Sequence, residues 1–233
     1  MKPTKLLLSC SHAVNIVPAE YQHLFAADPG ILNTHQAFDL FALEITQRLS
    51  VDLNCPFIQS YVTRLLVNCN HNGHPSHCYS DFTKNLPKPE KERLLHHYYF
   101  PFQHRTQELI RQYIDSGQQV LHLSIHTFTP ELRGEVRNAG IGLLYDPHRH
   151  AEKEVIRLWN SLLLHQMAYR IRMNYPHSYV SEGFINSIRK QYSEKDYLGL
   201  ELQVNQALLK NPDAFDEIVR SLSDSLQELM QLL

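Results

Sequence analysis

Short apolar runs alternate along the chain with segments in which apolar residues recur every three to four positions. Uninterrupted apolar runs are typical of strands that are buried on both faces, so each run predicts a strand. The predicted strands are residues 5–10, 56–62, 120–125, 141–145 and 200–204. Residues 64–69 are expected to continue or follow the second strand.

Helical periodicity predicts four helices, at residues 38–49, 103–116, 152 to about 173, and about 213–233. Gly117 is placed to end the second helix, and Pro176 breaks the pattern after the third. The last helix is amphipathic, and it either docks on the rest of the protein or forms a dimer seam. Residues 70–80 are polar and are predicted to form a loop.

Strands separated by helices predict an α/β fold, with a largely parallel sheet and helices on both faces. A length of 233 residues fits one domain over residues 1–233, with the amphipathic helix at its C-terminus. In such sheets the functional site lies at the carboxyl ends of the strands. Candidate chemistry is therefore sought there.

Charge and composition narrow the range of partners. There are 22 Lys and Arg residues against 24 Asp and Glu residues, a net charge of −2, which argues against a nucleic-acid binder. No run of about 18 apolar residues predicts a membrane span. The four cysteines form no CxxC pair. The apolar run within residues 1–9 is too short to be the hydrophobic part of a secretory signal. We expect a cytoplasmic protein with reduced thiols, and nothing in the composition indicates a particular oligomeric state.

Histidine is unusually frequent, with 15 copies, and it is the commonest metal ligand among side chains. His12 follows the first predicted strand and His126 follows the third, while Glu201 lies in the last. A catalytic zinc site needs about three His, Asp or Glu ligands and one open position. His35 or Asp39, at the start of the next helix, could supply the third ligand. Their spacing of four would put both on one helical face.

A second cluster of potential ligands lies in the polar loop. It consists of Cys69, His71, His74, His77 and Cys78. The spacing matches no standard zinc motif, so a solvated loop is the competing interpretation. The chain also lacks HExxH, GxSxG, P-loop and GxGxxG motifs, which argues against a serine hydrolase, a P-loop NTPase and a Rossmann dehydrogenase.

Seven stretches, in order, resemble the N-formylglutamate amidohydrolase-like family. They are SCSHAVNIVP at 9–18, THQAFDLFA at 34–42, VTRLLVNCN at 62–70, LSIHTFTPELRGEVR at 123–137, IGLLYDPHR at 141–149, RMNYPHSYVSEG at 172–183 and LGLELQVNQ at 198–206. The resemblance runs from about residue 5 to residue 210. It implies the three-layer fold of zinc carboxypeptidases and aspartoacylases, a mostly parallel mixed sheet of the phosphorylase/hydrolase-like type.

The resemblance also implies an activity and a role for each matching position. The activity is zinc-dependent cleavage of the amide of an N-formyl or N-acyl amino acid, such as N-formylglutamate. His12 and His126 would be zinc ligands, with His35 as the third and Asp39 as its competitor or supporting partner. The remaining roles fall to Glu201 as general base and acid, and to Arg64, Asn70 and His71 around the substrate's carboxylate or carbonyl.

The sequence departs from the family pattern mainly on the substrate side. Asn68 stands where the family usually has Asp, His71 where it has Arg, and Gln103 where an arginine is common. Further departures are at Val14, Gly140, Tyr179 and Glu182. A neutral imidazole cannot replace the planar fork of a guanidinium, so the metal ligands are better preserved than the substrate contacts. The alternatives are a catalytically impaired metal- or ligand-binding member, and a peptide amidase or carboxypeptidase of the same fold.

Overall fold

The computed structural model describes residues 2–71, 75–177 and 183–233. Within them, one six-stranded sheet and one small hairpin account for the strands. The strands are β1 (Thr4–Cys10), β2 (Phe57–Gln59), β3 (Gln119–Phe128), β4 (Glu131–Leu132), β5 (Glu135–Val136), β6 (Ile141–Leu144), β7 (Ile171–Met173) and β8 (Tyr197–Asn205). Strands β4 and β5 pair with each other as the hairpin.

The strand order of the sheet is β2-β1-β3-β8-β6-β7. The first four of these strands run parallel, whereas β6 pairs antiparallel with β8 and β7 runs parallel to β6. The sheet is therefore mixed and mostly parallel, as the sequence predicts. The carboxyl ends of β1, β3 and β8 lie side by side at one edge of the sheet.

Helices cover both faces of this sheet. In the described residues the helices are α1 (Ala42–Asp52), α2 (Lys88–Leu94), α3 (Phe100–Asp115), α4 (His150–Gln166), α5 (Phe184–Arg189) and α6 (Pro212–Leu232). Helices α1, α4 and α6 pack on one face, while α3 and α5 pack on the other. No helix in the described part of the chain is long and apolar enough to cross a membrane.

The face beneath α1, α4 and α6 forms the main hydrophobic core. Alternate leucines of β1, β3 and β8 point into it, together with the apolar stripe of α6. Trp159 is fully buried there and donates from Nε1 to Ser225 Oγ at 3.0 Å. The C-terminal helix therefore docks on this chain, which is the first of the two outcomes that its amphipathic pattern allows.

Polar side chains line the opposite face of the same strands, and we call them the polar file. Successive strand residues point to opposite faces, so His122, Ser124 and His126 of β3 share a face. The parallel register sets Ser9 of β1 and Glu201 of β8 beside Ser124. An otherwise apolar sheet thus directs a row of polar side chains toward its carboxyl edge.

Two predicted elements are wrong. Residues 61–70 form turns instead of a strand, because Thr63 binds the loop before α1: its N–H donates to the Ile16 carbonyl at 2.9 Å and its Oγ1 to the Ala37 carbonyl at 2.8 Å. The helix expected up to residue 173 ends at Gln166. Residues 171–173 instead pair with the free edge of β6 as β7, so a tertiary contact overrides the helical pattern.

Candidate active site

Three side chains from distant parts of the sequence meet at the carboxyl edge of the sheet. Asp39 Oδ2 lies 2.8 Å from His126 Nδ1 and 3.4 Å from His12 Nδ1. All three residues are buried. One potential ligand atom from each lies within 4.8 Å of the others, which makes this the one candidate metal group among the described residues.

The outer nitrogen of each imidazole has its own partner. His12 Nε2 lies 2.9 Å from Asn68 Oδ1, and His126 Nε2 lies 3.0 Å from Ser124 Oγ. A neutral imidazole that donates from Nε2 keeps the Nδ1 lone pair free to bind a cation, and such outer partners fix the ring orientation of metal-binding histidines. Two inward Nδ1 atoms and one carboxylate fit a divalent cation such as zinc.

The electrostatics of the group favour a charged carboxylate beside imidazoles of different basicity. Burial would raise the pKa of Asp39, but the adjacent His12, Arg64 and His126 hold it well below its usual range. Burial and the Arg64 charge lower the pKa of His12. Burial would also lower the pKa of His126, but its hydrogen bond to Asp39 and the charge of that carboxylate raise it. Asp39 is therefore ionised at neutral pH.

The loop between β1 and α1 carries Asp39 to the histidines. The Asp39 N–H donates to the His12 carbonyl at 3.0 Å, and Phe41 takes a left-handed conformation with φ of 69°. This turn delays the start of α1 to Ala42, four residues after the predicted start at Phe38. His35 and Asp39 therefore do not share a helical face, and that expectation is wrong.

His35 lines the pocket but lies outside the three-residue group. Its side chain is exposed, and partial burial together with the charges of Arg64 and Arg137 lowers its pKa. Of the two alternatives for a third ligand, Asp39 has the geometry of one. His126 also differs slightly from expectation, because β3 continues past it to Phe128 and it lies within the strand.

Arg64 is anchored at the metal end of the pocket. Its Nη1 lies 3.2 Å from Asp39 Oδ1 and 3.0 Å from His12 Nδ1. Its Nε donates to the Gln36 carbonyl at 2.8 Å and its Nη2 to the His35 carbonyl. The backbone contacts fix the orientation of the guanidinium, so its Nη1 edge faces the metal group.

The side chains of Glu201 and Asn70 both approach Gly183. A Cβ at position 183 would lie 3.7 Å from Glu201 Oε1 and 4.0 Å from Asn70 Oδ1. Both side chains line the same pocket as His12, Asp39 and His126. His71 does not line the described wall of that pocket; its backbone bridges to Gly183, and its carbonyl accepts from Tyr99 Oη at 2.9 Å. Tyr179 and Glu182 lie outside the described residues.

The pocket has a volume of about 470 Å³, which suits a small molecule. It also contains residues to which the sequence assigned no role, namely Arg137, His177, Gln203 and Gln206. The period-two polar pattern of β3 could have indicated Ser124, and the same pattern in β8 could have indicated Gln203. No local pattern distinguishes Arg137 or His177.

The cluster of cysteines and histidines at residues 69–78 differs from the His12–Asp39–His126 group. Burial raises the pKa of the Cys69 thiol to about 12 and that of Cys78 to about 11. The rings of His71 and His77 lie 5.5 Å apart, and His74 lies outside the described residues. The described members of this cluster form no group that could hold a metal.

A further histidine, His122, lies in the polar file behind the site. It is fully buried, with Nδ1 2.8 Å from Tyr197 Oη and Nε2 2.8 Å from Ser9 Oγ. Burial and the nearby charge of Arg189 lower its pKa from 6.5 to about 3. The unfolded chain therefore binds a proton between these pH values that the folded chain does not bind, and stability falls as the pH falls through this window.

We expect His122 to contribute about 2 kcal/mol to the stability lost between pH 7 and pH 5. Replacing His122 with Gln, which keeps a polar partner for both neighbours, should remove that contribution. Urea unfolding of both proteins at the two pH values measures it. Equal losses of unfolding free energy in the two proteins would contradict the assignment.

The fold and the site together define an α/β protein with a mostly parallel mixed sheet and a buried His–Asp–His group at its carboxyl edge. The sequence profile of the family described as "FGase: N-formylglutamate amidohydrolase" matches residues 4–209. The chain belongs to the N-formylglutamate amidohydrolase family. Among curated proteins, no sequence matches it significantly.

Two solved structures share this fold over nearly the whole chain. One is a gene product from Agrobacterium tumefaciens, with 22% identity and a TM-score of 0.82, covering 99% of this chain and 92% of that one. The other is the N-formylglutamate amidohydrolase from Ralstonia eutropha JMP134, with 13% identity and a TM-score of 0.72, covering 99% and 93%. At these identities the similarity establishes the fold.

Proposed function

We propose that this protein is a zinc-dependent amidohydrolase that cleaves the amide of an N-formyl or N-acyl amino acid, with N-formylglutamate as the first candidate. The observation that carries the proposal is the buried His12–Asp39–His126 group, which lines the same pocket as Glu201. Membership of the N-formylglutamate amidohydrolase family supports the reaction type. The substrate is a small molecule in keeping with the pocket volume.

His12, Asp39 and His126 would hold the zinc ion, His12 and His126 through Nδ1 and Asp39 through its carboxylate. When bound, zinc polarises an amide carbonyl and lowers the pKa of water at the site. Asn68 and Ser124 hold the outer nitrogens of the two imidazoles, which keeps both rings directed inward. A bound cation would replace the Arg64 guanidinium as the partner of the His12 lone pair.

Glu201 is the proposed general base and acid. It lines the pocket from β8, on the same sheet face as His126. Its carboxylate would accept a proton from the attacking water and then deliver it to the leaving nitrogen as the C–N bond breaks. For a formyl substrate the products are formate and the free amino acid, so the proton taken from water ends on the amine.

Arg64 and Asn70 are the proposed contacts to the scissile group. The backbone anchors of Arg64 aim its Nη1 edge at the metal group, where the charge of the substrate carbonyl oxygen increases during attack. Asn70 lines the same pocket as Glu201 and approaches the same glycine, Gly183, so its amide would help to orient the substrate. His71 would act only indirectly, through the β-bridge between its backbone and that of Gly183.

Zinc loading and hydrolysis test the proposal together. Purified protein is expected to contain about one zinc ion per chain by elemental analysis and to release formate from N-formyl-L-glutamate. Removing the metal with a chelator should lower the rate at least about 100-fold, because the Lewis acid contributes several kcal/mol, and added zinc should restore it. Activity that is unaffected by chelation would contradict the proposal.

The same assay separates the alternatives. Tight zinc binding without turnover of any N-acyl amino acid would indicate a metal-binding member that has lost catalysis, which the His71 departure favours. Preference for peptides over N-acyl amino acids would indicate a peptide amidase or carboxypeptidase. N-acetyl-L-glutamate and a dipeptide are suitable members of the substrate panel.

We also propose a cytoplasmic location and a single amidohydrolase-like domain over residues 1–233. All four cysteines are free thiols, and three of them are buried. Reduced, unpaired thiols are typical of proteins in the cytosol. The packing of α6 onto α1 and α4 supports its inclusion in the same unit.

A further inference from the structure

The pocket contains a second guanidinium, that of Arg137, which enters from the segment between the β4–β5 hairpin and β6. Its backbone is fixed at both ends. The Arg137 N–H donates to the Pro130 carbonyl at 2.7 Å, and its carbonyl accepts from Asn205 Nδ2 at 3.1 Å. Since Asn205 ends β8, the sheet that carries Glu201 also positions Arg137.

The two arginines of the pocket differ in what holds them. The guanidinium of Arg64 is bound to the carboxylate of Asp39 and to backbone carbonyls. That of Arg137 forms no ion pair and no hydrogen bond with any residue in the described part of the chain. Its Cζ lies 5.9 Å from the centroid of the Phe128 ring. Arg137 therefore brings to the pocket a half-buried positive charge that is not paired with any carboxylate of the described residues.

Arg137 acts electrostatically on two histidines of the pocket. Its charge contributes to the lowered pKa of His35 and of His177, two residues that line the same pocket. A half-buried cation that faces a cavity lowers its free energy when an anion enters, and a guanidinium suits a carboxylate because both are planar forks. Arg64 lies at the metal end, and Arg137 is the other arginine among the described residues that line the pocket, so it is placed to bind another part of the substrate.

We propose that Arg137 binds a carboxylate of the substrate and makes the pocket selective for N-acyl amino acids that carry one. This inference rests on the proposed function, because it names the class of molecule that the amidohydrolase site accepts. N-formylglutamate offers two carboxylates, one on the α-carbon and one at the end of the side chain. Either could reach Arg137, and the experiment distinguishes them.

Replacing Arg137 with Met should raise KM for N-formyl-L-glutamate roughly 10- to 100-fold, the effect of losing one charge-assisted hydrogen-bonded pair, with kcat within about tenfold of wild type. Arg137→Lys should recover part of the loss. Arg133→Met is the matched control, because it removes the same charge from the exposed tip of the hairpin. Unchanged KM in Arg137→Met, or an equal rise in Arg133→Met, would overturn the inference.

Substrates that lack one carboxylate identify the group that Arg137 binds. Wild type should discriminate against either N-formylglutamine or the α-amide of N-formylglutamate, and Arg137→Met should lose that discrimination. If the variant keeps the full discrimination against both amides, Arg137 binds neither carboxylate.

Binding measurements separate this inference from the proposed function. Calorimetric titration of zinc-loaded wild type and Arg137→Lys with N-formyl-L-glutamate reports affinity whether or not hydrolysis occurs. Binding that is weakened by the substitution, without turnover, would support the Arg137 assignment while contradicting the hydrolase. Turnover with equal affinity in both proteins would do the reverse, and no binding at all would contradict both.

Discussion

Replacing Glu201 with Gln is expected to lower kcat about 1,000-fold while leaving the zinc content at about one ion per chain. Glutamine has nearly the same shape but cannot accept and return a proton, and a positioned general base typically contributes a factor of about 100 to 10,000. Glu201 lines the pocket without belonging to the His–Asp–His group, so metal binding should survive the substitution. Steady-state kinetics on N-formyl-L-glutamate, with elemental analysis of the same sample, provide the measurement.

Glu135→Gln is a suitable control for the loss of charge, since Glu135 is exposed on the β4–β5 hairpin. It should retain the kinetics of the wild-type protein. If Glu201→Gln stays within tenfold of wild type, another group must move the proton.

Replacing Asp39 with Asn is expected to weaken zinc binding by at least about 100-fold, a larger effect than losing an outer partner of a ligand. A neutral amide is a poorer ligand than a carboxylate for a divalent cation. Asp39 is also the shared partner of His12, His126 and Arg64. Its loss leaves those groups without the negative charge that brings them together. Titration of the metal-free proteins with zinc against a competing chelator measures the affinity.

His35→Gln is the paired substitution, because His35 is the other candidate for the third ligand. It should bind zinc with nearly the affinity of wild type, since its side chain lies outside the group. The opposite result, with His35→Gln losing zinc and Asp39→Asn retaining it, would show that the loop rearranges around the metal. Melting curves of the metal-free variants confirm that each is folded before titration.

Hydrophobic patterning was sufficient for much of the fold. The apolar runs of β1, β3, β6 and β8 predicted strands, because burial on both faces requires apolar side chains at consecutive positions. It was insufficient where a tertiary partner decides the conformation. Residues 171–173 form a strand because they pair with β6, and residues 64–69 form turns because Thr63 and Arg64 bind the Ala37 carbonyl in the loop before α1.

The tertiary structure indicates roles for two residues that the sequence pattern does not. Asn68, which departs from the family pattern, supports His12 through its amide oxygen. Arg137, which no motif distinguished, is the second cation of the pocket. Each role depends on residues that are far apart in the sequence, so no periodic pattern of side chains indicates it.

The sequence by itself determined the alternating α/β architecture, and it predicted His12, His126 and Glu201 in or just after strands that lie side by side in the sheet. Those assignments depend on burial and chain order, which local patterns encode. Only the tertiary structure decided for Asp39 over His35 as the partner of the two histidines. That choice depends on one left-handed residue, Phe41, and on a hydrogen bond from Asp39 to the His12 carbonyl. A turn of this kind brings together residues that are distant in the sequence, so their spacing along the chain cannot reveal the contact.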